Sequence, residues 1–331
     1  MPLEPERRQA LLATKLGVLV RDQWGGGERR PSPFPGGAAV QAESGAAGWV
    51  LVEDQQDRAL GGALAWAGRA GVDELHVLVE SPTAAGRLSR RAAAFARPPS
   101  VWLVDGRSVM AAPADPVPEE PPLPSGSAAF VDVIRDSGAD PVVEHGVLRG
   151  EVLGLEVCRV VDGYLEVGVG KHDREAQALI HADRPPLDAL SDAVAVVRRF
   201  RRMDAPVHPA NQLALERWLR AVVMARPELV GLDGLEFAPA PSPSDRSDLR
   251  RPAPAPAVGD GVLVVCSTGI DTDLVPAAAD AWLASDRPAR HLLVVPTGDD
   301  HPVTRSLAAQ LASPAHVITV GKDWQGAYPD S

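Results

Sequence analysis

Apolar positions along the chain follow two rhythms: short β-branched runs, and longer stretches with apolar residues three and four apart. The first rhythm predicts strands at 48–53 (Gly-Trp-Val-Leu-Val-Glu), 75–80 (Leu-His-Val-Leu-Val-Glu) and 101–105 (Val-Trp-Leu-Val-Asp). Between them, 57–70 carries Leu60, Leu64 and Ala67 on one helical face, and 83–96 carries Leu88, Ala92 and Phe95. Strands that are apolar throughout, alternating with helices, predict a small parallel sheet covered by helices. The rhythm returns near the other end, with strands at 261–266, 291–296 and 317–320 and helices at 272–285 and 302–312.

The two ends also match residue by residue. Phe95-Ala96, Pro98 and Val101 stand at a constant offset of 216 from Leu311-Ala312, Pro314 and Val317. His76-Val-Leu-Val resembles His291-Leu-Leu-Val, and Gly48-Trp-Val-Leu-Val resembles Gly261-Val-Leu-Val-Val. The expectation is an internal duplication, two Rossmann-like βαβαβ units at 48–110 and 259–325.

A different pattern lies between them. It predicts a helix at 128–137, a strand at 142–145, strands on both sides of Asp162-Gly163, and a helix at 173–182. Asp-Gly between two β-branched runs is a strong hairpin signal. Helices at 187–201 and 211–225 follow. Proline marks the boundaries, because it fixes the chain in extended form and cannot join a central sheet. Six prolines fall between 111 and 124, and a Pro/Ala/Ser-rich run spans 238–257. The expected order is an N-terminal helix (Glu4 to Leu19) and flexible segment with a proline-rich loop at 29–37 (together 1–47), the first unit (48–110) and a linker (111–126). A middle α/β unit with trailing helices (127–237), a second linker (238–258) and the second unit (259–325) complete it.

Charge narrows the partners. A net charge of −11 argues against a broad electrostatic grip on nucleic acid. It leaves one local candidate for phosphate contact, the basic cluster Arg198-Arg199-Phe200-Arg201-Arg202. Only three of the 33 basic residues are lysines: Lys15, Lys171 and Lys322. Cys158 and Cys266 both fall in expected buried strands, and no apolar run approaches the roughly 18 residues of a membrane span. The expectation is a soluble, cytoplasmic, disulfide-free protein. Its oligomeric state is left open.

The candidate chemistry sits in the middle unit. Glu151, Glu156 and Glu166 interrupt apolar runs where a carboxylate is unusual, and Lys171-His172-Asp173-Arg174-Glu175 follows. Strict alternation along one strand puts Glu151 and Glu156 on opposite faces unless a bulge at Gly154 intervenes. His172 and His181 read as surface residues.

Residues 128–182 resemble the core of the PD-(D/E)XK nuclease superfamily. Gly150-Glu-Val-Leu153 stands where members have Gly-Glu-Ile-Asp, and Leu165-Glu-Val-Gly168 where they have Val-Glu-Val-Lys. The resemblance implies a restriction-endonuclease-like middle fold. It also implies a Mg²⁺ ion held by Glu151 and Glu166, with Glu156 as a substitute ligand and Lys171 as a relocated catalytic lysine. The chain departs from the pattern at Leu153 and Gly168, the aspartate and lysine positions. The implied function is therefore either a Mg²⁺-dependent phosphodiesterase acting on nucleic acid or a catalytically inactive relative.

A reading from another class is a non-catalytic ligand-binding or scaffold protein. Its Rossmann-like units would hold an anion at Ser267-Thr268-Gly269 and at Ser81-Pro82-Thr83. Ordinary helix capping by Thr83, Thr268 or Thr272 is the simpler account of those residues.

Overall fold

A computed structural model of the chain describes residues 5–180, 185–241 and 248–328. Glu4, His181 and Ala182, all part of the sequence expectations, lie outside the described residues.

The first sheet uses α1 (Pro5–Trp24), β1 (Arg29–Ser32), β2 (Gly37–Ala42), β3 (Ala47–Val52), α2 (Ala59–Ala70), β4 (Glu74–Val79), α3 (Pro82–Ala92), β5 (Ser100–Asp105) and β6 (Ser108–Ala111). Its strand order is β1-β2-β3-β4-β5-β6. β3, β4 and β5 are parallel, as the apolar pattern predicts. β1, β2 and β6 add to them antiparallel. β1 corrects the expected loop at 29–37. It is an edge strand, where Pro31 sacrifices no bond to a second neighbour. β2 reads Gly-Ala-Ala-Val-Gln-Ala, too poor in branched side chains to announce a strand. α1 buries Leu16, Leu19 and Val20 with Val40, Trp49, Leu51 and Leu78 of this sheet.

The middle sheet follows α4 (Phe130–Asp136) and comprises β7 (Asp140–Glu144), β8 (Val147–Val152), β9 (Leu155–Val161) and β10 (Tyr164–Val167), ordered β10-β9-β8-β7 and antiparallel throughout. Three two-residue turns join its strands: His145-Gly146, Leu153-Gly154 and Asp162-Gly163. Both residues of each have positive φ, the turn that matches the twist of flanking strands. α5 (Gly170–Ile180), α6 (Pro186–Phe200) and α7 (Leu215–Ala225) come next.

The third sheet contains β11 (Glu236–Phe237), β12 (Ala255–Gly259), β13 (Val262–Cys266), β14 (Arg290–Pro296) and β15 (His316–Val320), with α8 (Leu274–Ala284) and α9 (Pro302–Ala309) between the last three strands. Its order is β11-β12-β13-β14-β15, antiparallel as far as β13 and parallel from there. It thus repeats the order and directions of β1 to β5. Register repeats too, since Val77 pairs with Val101 and Leu293 with Val317. On that register His76 corresponds to Leu292, not to His291, which sits one residue earlier. The histidine match expected from sequence is therefore displaced by one position.

Among the described residues the protein is thus an α/β fold with three sheets. By contacts it forms two compact units, each discontinuous in sequence. The first is built from the chain up to 117 with 272–280 and 302–315; the second from 118–271, 281–301 and the chain from 316. Within the first unit, Phe95 and Leu311 form a bridge at the predicted offset of 216. The Ala96 N–H donates to the Gln310 carbonyl and the Ala312 N–H to the Ala94 carbonyl, both at 2.9 Å. These two bonds are exchanged by a local two-fold relation. Buried charge ties the same segments together. Asp280 accepts from Arg90 and Arg91 at 2.8 and 2.9 Å, and Asp273 from Arg91 at 3.0 Å. Burial raises the Asp280 pKa, but the two guanidinium groups outweigh it and hold the carboxyl below its usual range.

No helix among the described residues is long and apolar enough to cross a membrane. Cys158 and Cys266 are free and buried, and burial pushes both thiols up to about 12.

One buried group sets an acid limit on the fold. His291 on β14 is 2% exposed and packs edge-on to Trp282 with ring centroids 5.0 Å apart. Burial lowers its pKa from 6.5 to about 4. The unfolded chain therefore takes up this proton first. Stability from this group is complete above pH 6.5. It falls by about 1.4 kcal/mol per unit as pH drops towards about 4, up to about 3 kcal/mol in all. Urea melts at neutral pH and near pH 4 should show that loss, and His291→Leu should remove this part of it. An unchanged pH slope in His291→Leu would show that the imidazole is not responsible.

Candidate functional site

Register places the acids. β8 and β9 meet at the Leu153-Gly154 turn, so Glu151 and Glu156 lie on separate strands and are direct cross-strand partners. The alternation argument for opposite faces fails because the strand ends at Leu153. A register shift beyond Gly150 leaves Val157 as an extra residue on β9. Such a bulge resets the alternation, so Glu156 and Arg159 share a face. Arg159 opposes both Arg149 and Glu166, while Asp140 opposes Glu151. One face of the middle sheet therefore carries Asp140, Glu144, Arg149, Glu151, Glu156, Arg159 and Glu166. The other face carries Leu148, Val152, Cys158 and Val160, buried in one core with Ile134 of α4 and Leu190, Val194 and Val197 of α6.

Arginines fill the charged face. From α7, Arg217 donates to Glu151 at 3.0 Å and to Glu144 at 3.2 Å, and Arg220 donates to Glu151 at 3.1 Å. Arg149 pairs with Glu156 at 2.9 Å, and Arg174 of α5 donates to Glu156 at 3.0 Å. Arg159 donates to Glu166 at 2.8 Å, with Arg174 at 3.7 Å from the same carboxylate. Glu144, Glu151, Glu156, Arg149, Arg174, Arg217 and Arg220 are all buried.

The α7 sequence explains how one helix serves both sides. Trp218, Leu219, Val222 and Val223 form its apolar stripe, and Arg217 and Arg220, three apart, form the charged one. Gly154 sets the approach. It has φ +77°, and a Cβ there would lie 2.3 Å from the Arg217 carbonyl oxygen. Arg201 at the end of α6 locks the same turn, donating to the carbonyls of Leu153, Ala210 and Leu213.

Electrostatic directions follow burial first. Burial raises the Glu151 pKa against the pull of Arg217 and Arg220, and the Glu144 and Glu156 carboxylates push it the same way. Burial also acts to raise Glu144, but Arg217 and Arg220 bring it below its usual range. Arg217 is raised despite burial because Glu144 and Glu151 face it. Burial wins at Arg220 and lowers it, with Glu151 opposing. Arg201 donates to carbonyl oxygens and lies over the Trp218 ring, and burial takes it down to about 9.

Of the expected site residues, Glu151, Glu156 and Glu166 share the charged face. Lys171 does not join them: its side chain is 66% exposed and pairs with Glu175 on its own helix at 3.7 Å. Glu166 is 40% exposed at the rim, while Glu151 is enclosed. Among the described residues, no group of three or more His, Cys, Asp and Glu is arranged to hold a metal ion. The basic cluster is divided. Arg201 is spent inside the fold, Arg198 donates to the Gly138 carbonyl at 2.9 Å, Arg199 lies over the Phe200 ring, and Arg202 is exposed.

The strand-end loops are also engaged. The Gly269 N–H donates to Asp299 at 2.7 Å, and the Thr268 hydroxyl donates to Glu216 at 3.1 Å. The N–H groups of Glu80 and Ser81 donate to the Gln56 side chain, and Ser81 caps α3 by accepting from Ala84. Two of these acceptors are carboxyl groups and would oppose an incoming anion.

Arg217 and Arg220 are the site residues that sequence reasoning missed; Arg149, Arg159 and Arg174 stand close enough in sequence to the acids to be read as their partners, and they pair with Glu156 and Glu166. Arg217-Trp-Leu-Arg220 inside an otherwise apolar helical run was the available signal. Comparison of the chain with family models, with curated proteins and with solved structures gives no match.

Removing one acid tests the arginine lattice. Glu151→Gln leaves two buried guanidinium groups a charge short, at a cost of about 3–5 kcal/mol of folding stability. Chemical denaturation should show that loss. A loss under about 1 kcal/mol would mean that the carboxylate carries little of the structure.

Proposed function

We propose that the protein is a catalytically inactive relative of restriction-endonuclease-like nucleases and serves as a non-catalytic scaffold. The observation that carries this reading is the pairing of Glu151, Glu156 and Glu166 with arginine. A Mg²⁺ site needs carboxylate oxygens free to face a cation. Here Glu151 meets Arg217 and Arg220, Glu156 meets Arg149 and Arg174, and Glu166 meets Arg159. The donor set does not fit a resident Mg²⁺ ion, because guanidinium groups already supply the compensating charge. The position of Lys171 agrees, since an amine paired in solvent with Glu175 is not held to orient a water. The departures at Leu153 and Gly168 fit the same reading. Leu153 has become a turn residue with φ +49°, and Gly168 has φ +138° with its would-be Cβ 2.8 Å from the Arg174 backbone nitrogen. The two Rossmann-like sheets would then act as framework, with their strand-end amides satisfied internally.

Purified protein incubated with Mg²⁺ or Mn²⁺ and mixed single- and double-stranded DNA and RNA should leave every substrate intact. Metal-dependent cleavage that disappears in Glu166→Gln would overturn the proposal and restore an active nuclease centre.

A further inference from the structure

The second unit opens on a segment that belongs to no helix or strand, Pro118-Glu-Glu-Pro-Pro-Leu-Pro124. Proline fixes its own φ near −65° and holds the residue before it in extended conformations. Pro118, Pro121, Pro122 and Pro124 thus constrain every position from 118 to 124 except Glu119. The result is a polyproline helix, left-handed and three residues to the turn.

Exposure follows that period. Pro118, Pro121 and Pro124 are exposed along one edge, and Glu119 and Pro122 along the next. The third edge, positions 120 and 123, is tied to the fold. Glu120 accepts from the Gly146 N–H at 2.9 Å, and Leu123 is half-buried against the core under the middle sheet. Gly146 admits the segment closely, since a Cβ there would lie 3.0 Å from the Pro121 Cβ. Past the last proline, the Ser127 N–H donates to the Pro124 carbonyl at 3.1 Å. The rings therefore form a fixed ridge rather than a free tether.

The chemistry of the ridge selects its reader. Four of its seven positions have no N–H, so it cannot extend a partner's sheet. What it offers is a row of pyrrolidine rings and unused acceptors. Among the described residues, the carbonyls of Pro118, Pro121 and Pro122 accept no hydrogen bond. Aromatic side chains fit both features, because their faces pack on the rings while Trp N–H and Tyr O–H donate to the carbonyls. Charge adds a second condition. Glu119 makes no ion pair among the described residues, and the sequence has no basic residue between Arg107 and Arg135. A basic rim on the groove complements it.

We infer that residues 118–124 are a docking ridge for a partner protein, read by an aromatic-lined groove with a basic rim. Docking a loose proline-rich chain costs conformational entropy, and the ties at Glu120 and Leu123 have already met part of that cost. The inference goes beyond the scaffold reading and stands whether or not the middle sheet is catalytic.

Calorimetric titration of the full chain with a recombinant WW domain tests it, using a domain whose Trp/Tyr groove carries a lysine or arginine at its rim. The expected result is saturable one-to-one binding that weakens as salt rises. Pro121→Ala and Pro122→Ala keep a Cβ at each position, so each should preserve the melting temperature while weakening binding at least about fivefold. Glu119→Lys should weaken binding and remove most of its salt dependence. Pro113→Ala, at an exposed proline outside the ridge, should change nothing. No saturation up to about 1 mM probe would overturn the inference. So would binding that survives Pro121→Ala and Pro122→Ala together, or that persists when the groove Trp of the probe is replaced by Ala.

Discussion

A carboxylate inside a folded protein must be matched by opposite charge or take up a proton, and this constraint organises the second unit. Glu144, Glu151 and Glu156 are each 6% exposed or less, in a sheet whose opposite face is apolar. Leaving such groups unpaired would cost several kcal/mol apiece. Arg149, Arg174, Arg217 and Arg220 meet that demand from three elements, so satisfying the acids also fixes where α5 and α7 lie. The Leu153-Gly154 turn, locked by Arg201 and by the absence of a Cβ at Gly154, holds the acids in register with their partners. The lattice is thus a positional device as much as an energetic one.

The first unit obeys the same rule with different residues. Asp273 and Asp280, two helical turns apart, are met by Arg90 and Arg91 of α3. This pairing joins segments about 190 residues apart in sequence. It accompanies the reciprocal bridge at Phe95 and Leu311, where equivalent points of the two repeats touch. A chain whose basic residues are almost all arginine suits both clusters, because guanidinium is planar, stays charged when buried and binds carboxylate through two nitrogens.

The parallel cores of both repeats were legible because β3, β4, β5, β13, β14 and β15 are apolar runs of branched side chains. β2 was hidden by alanine and glycine, and β1 by Pro31, since both depend on tertiary pairing more than local preference. The Asp162-Gly163 turn was visible from composition, whereas Leu153-Gly154 was masked by a leucine at positive φ. That one missed turn made Glu151 and Glu156 look like neighbours on a single strand, when they oppose each other across two. The acids of the candidate site were legible as anomalies in apolar runs. The nearby partners Arg149, Arg159 and Arg174 were legible as well, but the α7 arginines were not, because Arg217 lies 66 residues from Glu151 and only the packing of α7 brings them together. Lys171 stood close in sequence to the acids, yet its place on the first turn of α5 turns it to solvent.

A double-mutant cycle between Glu151 and Arg217, read by chemical denaturation at neutral pH, probes this interaction most directly. The account predicts a favourable coupling of about 2 kcal/mol or more, unaffected by added Mg²⁺. Coupling under about 0.5 kcal/mol, together with Mg²⁺ stabilising the Arg217 variant, would contradict it and show that the acids are kept for a cation.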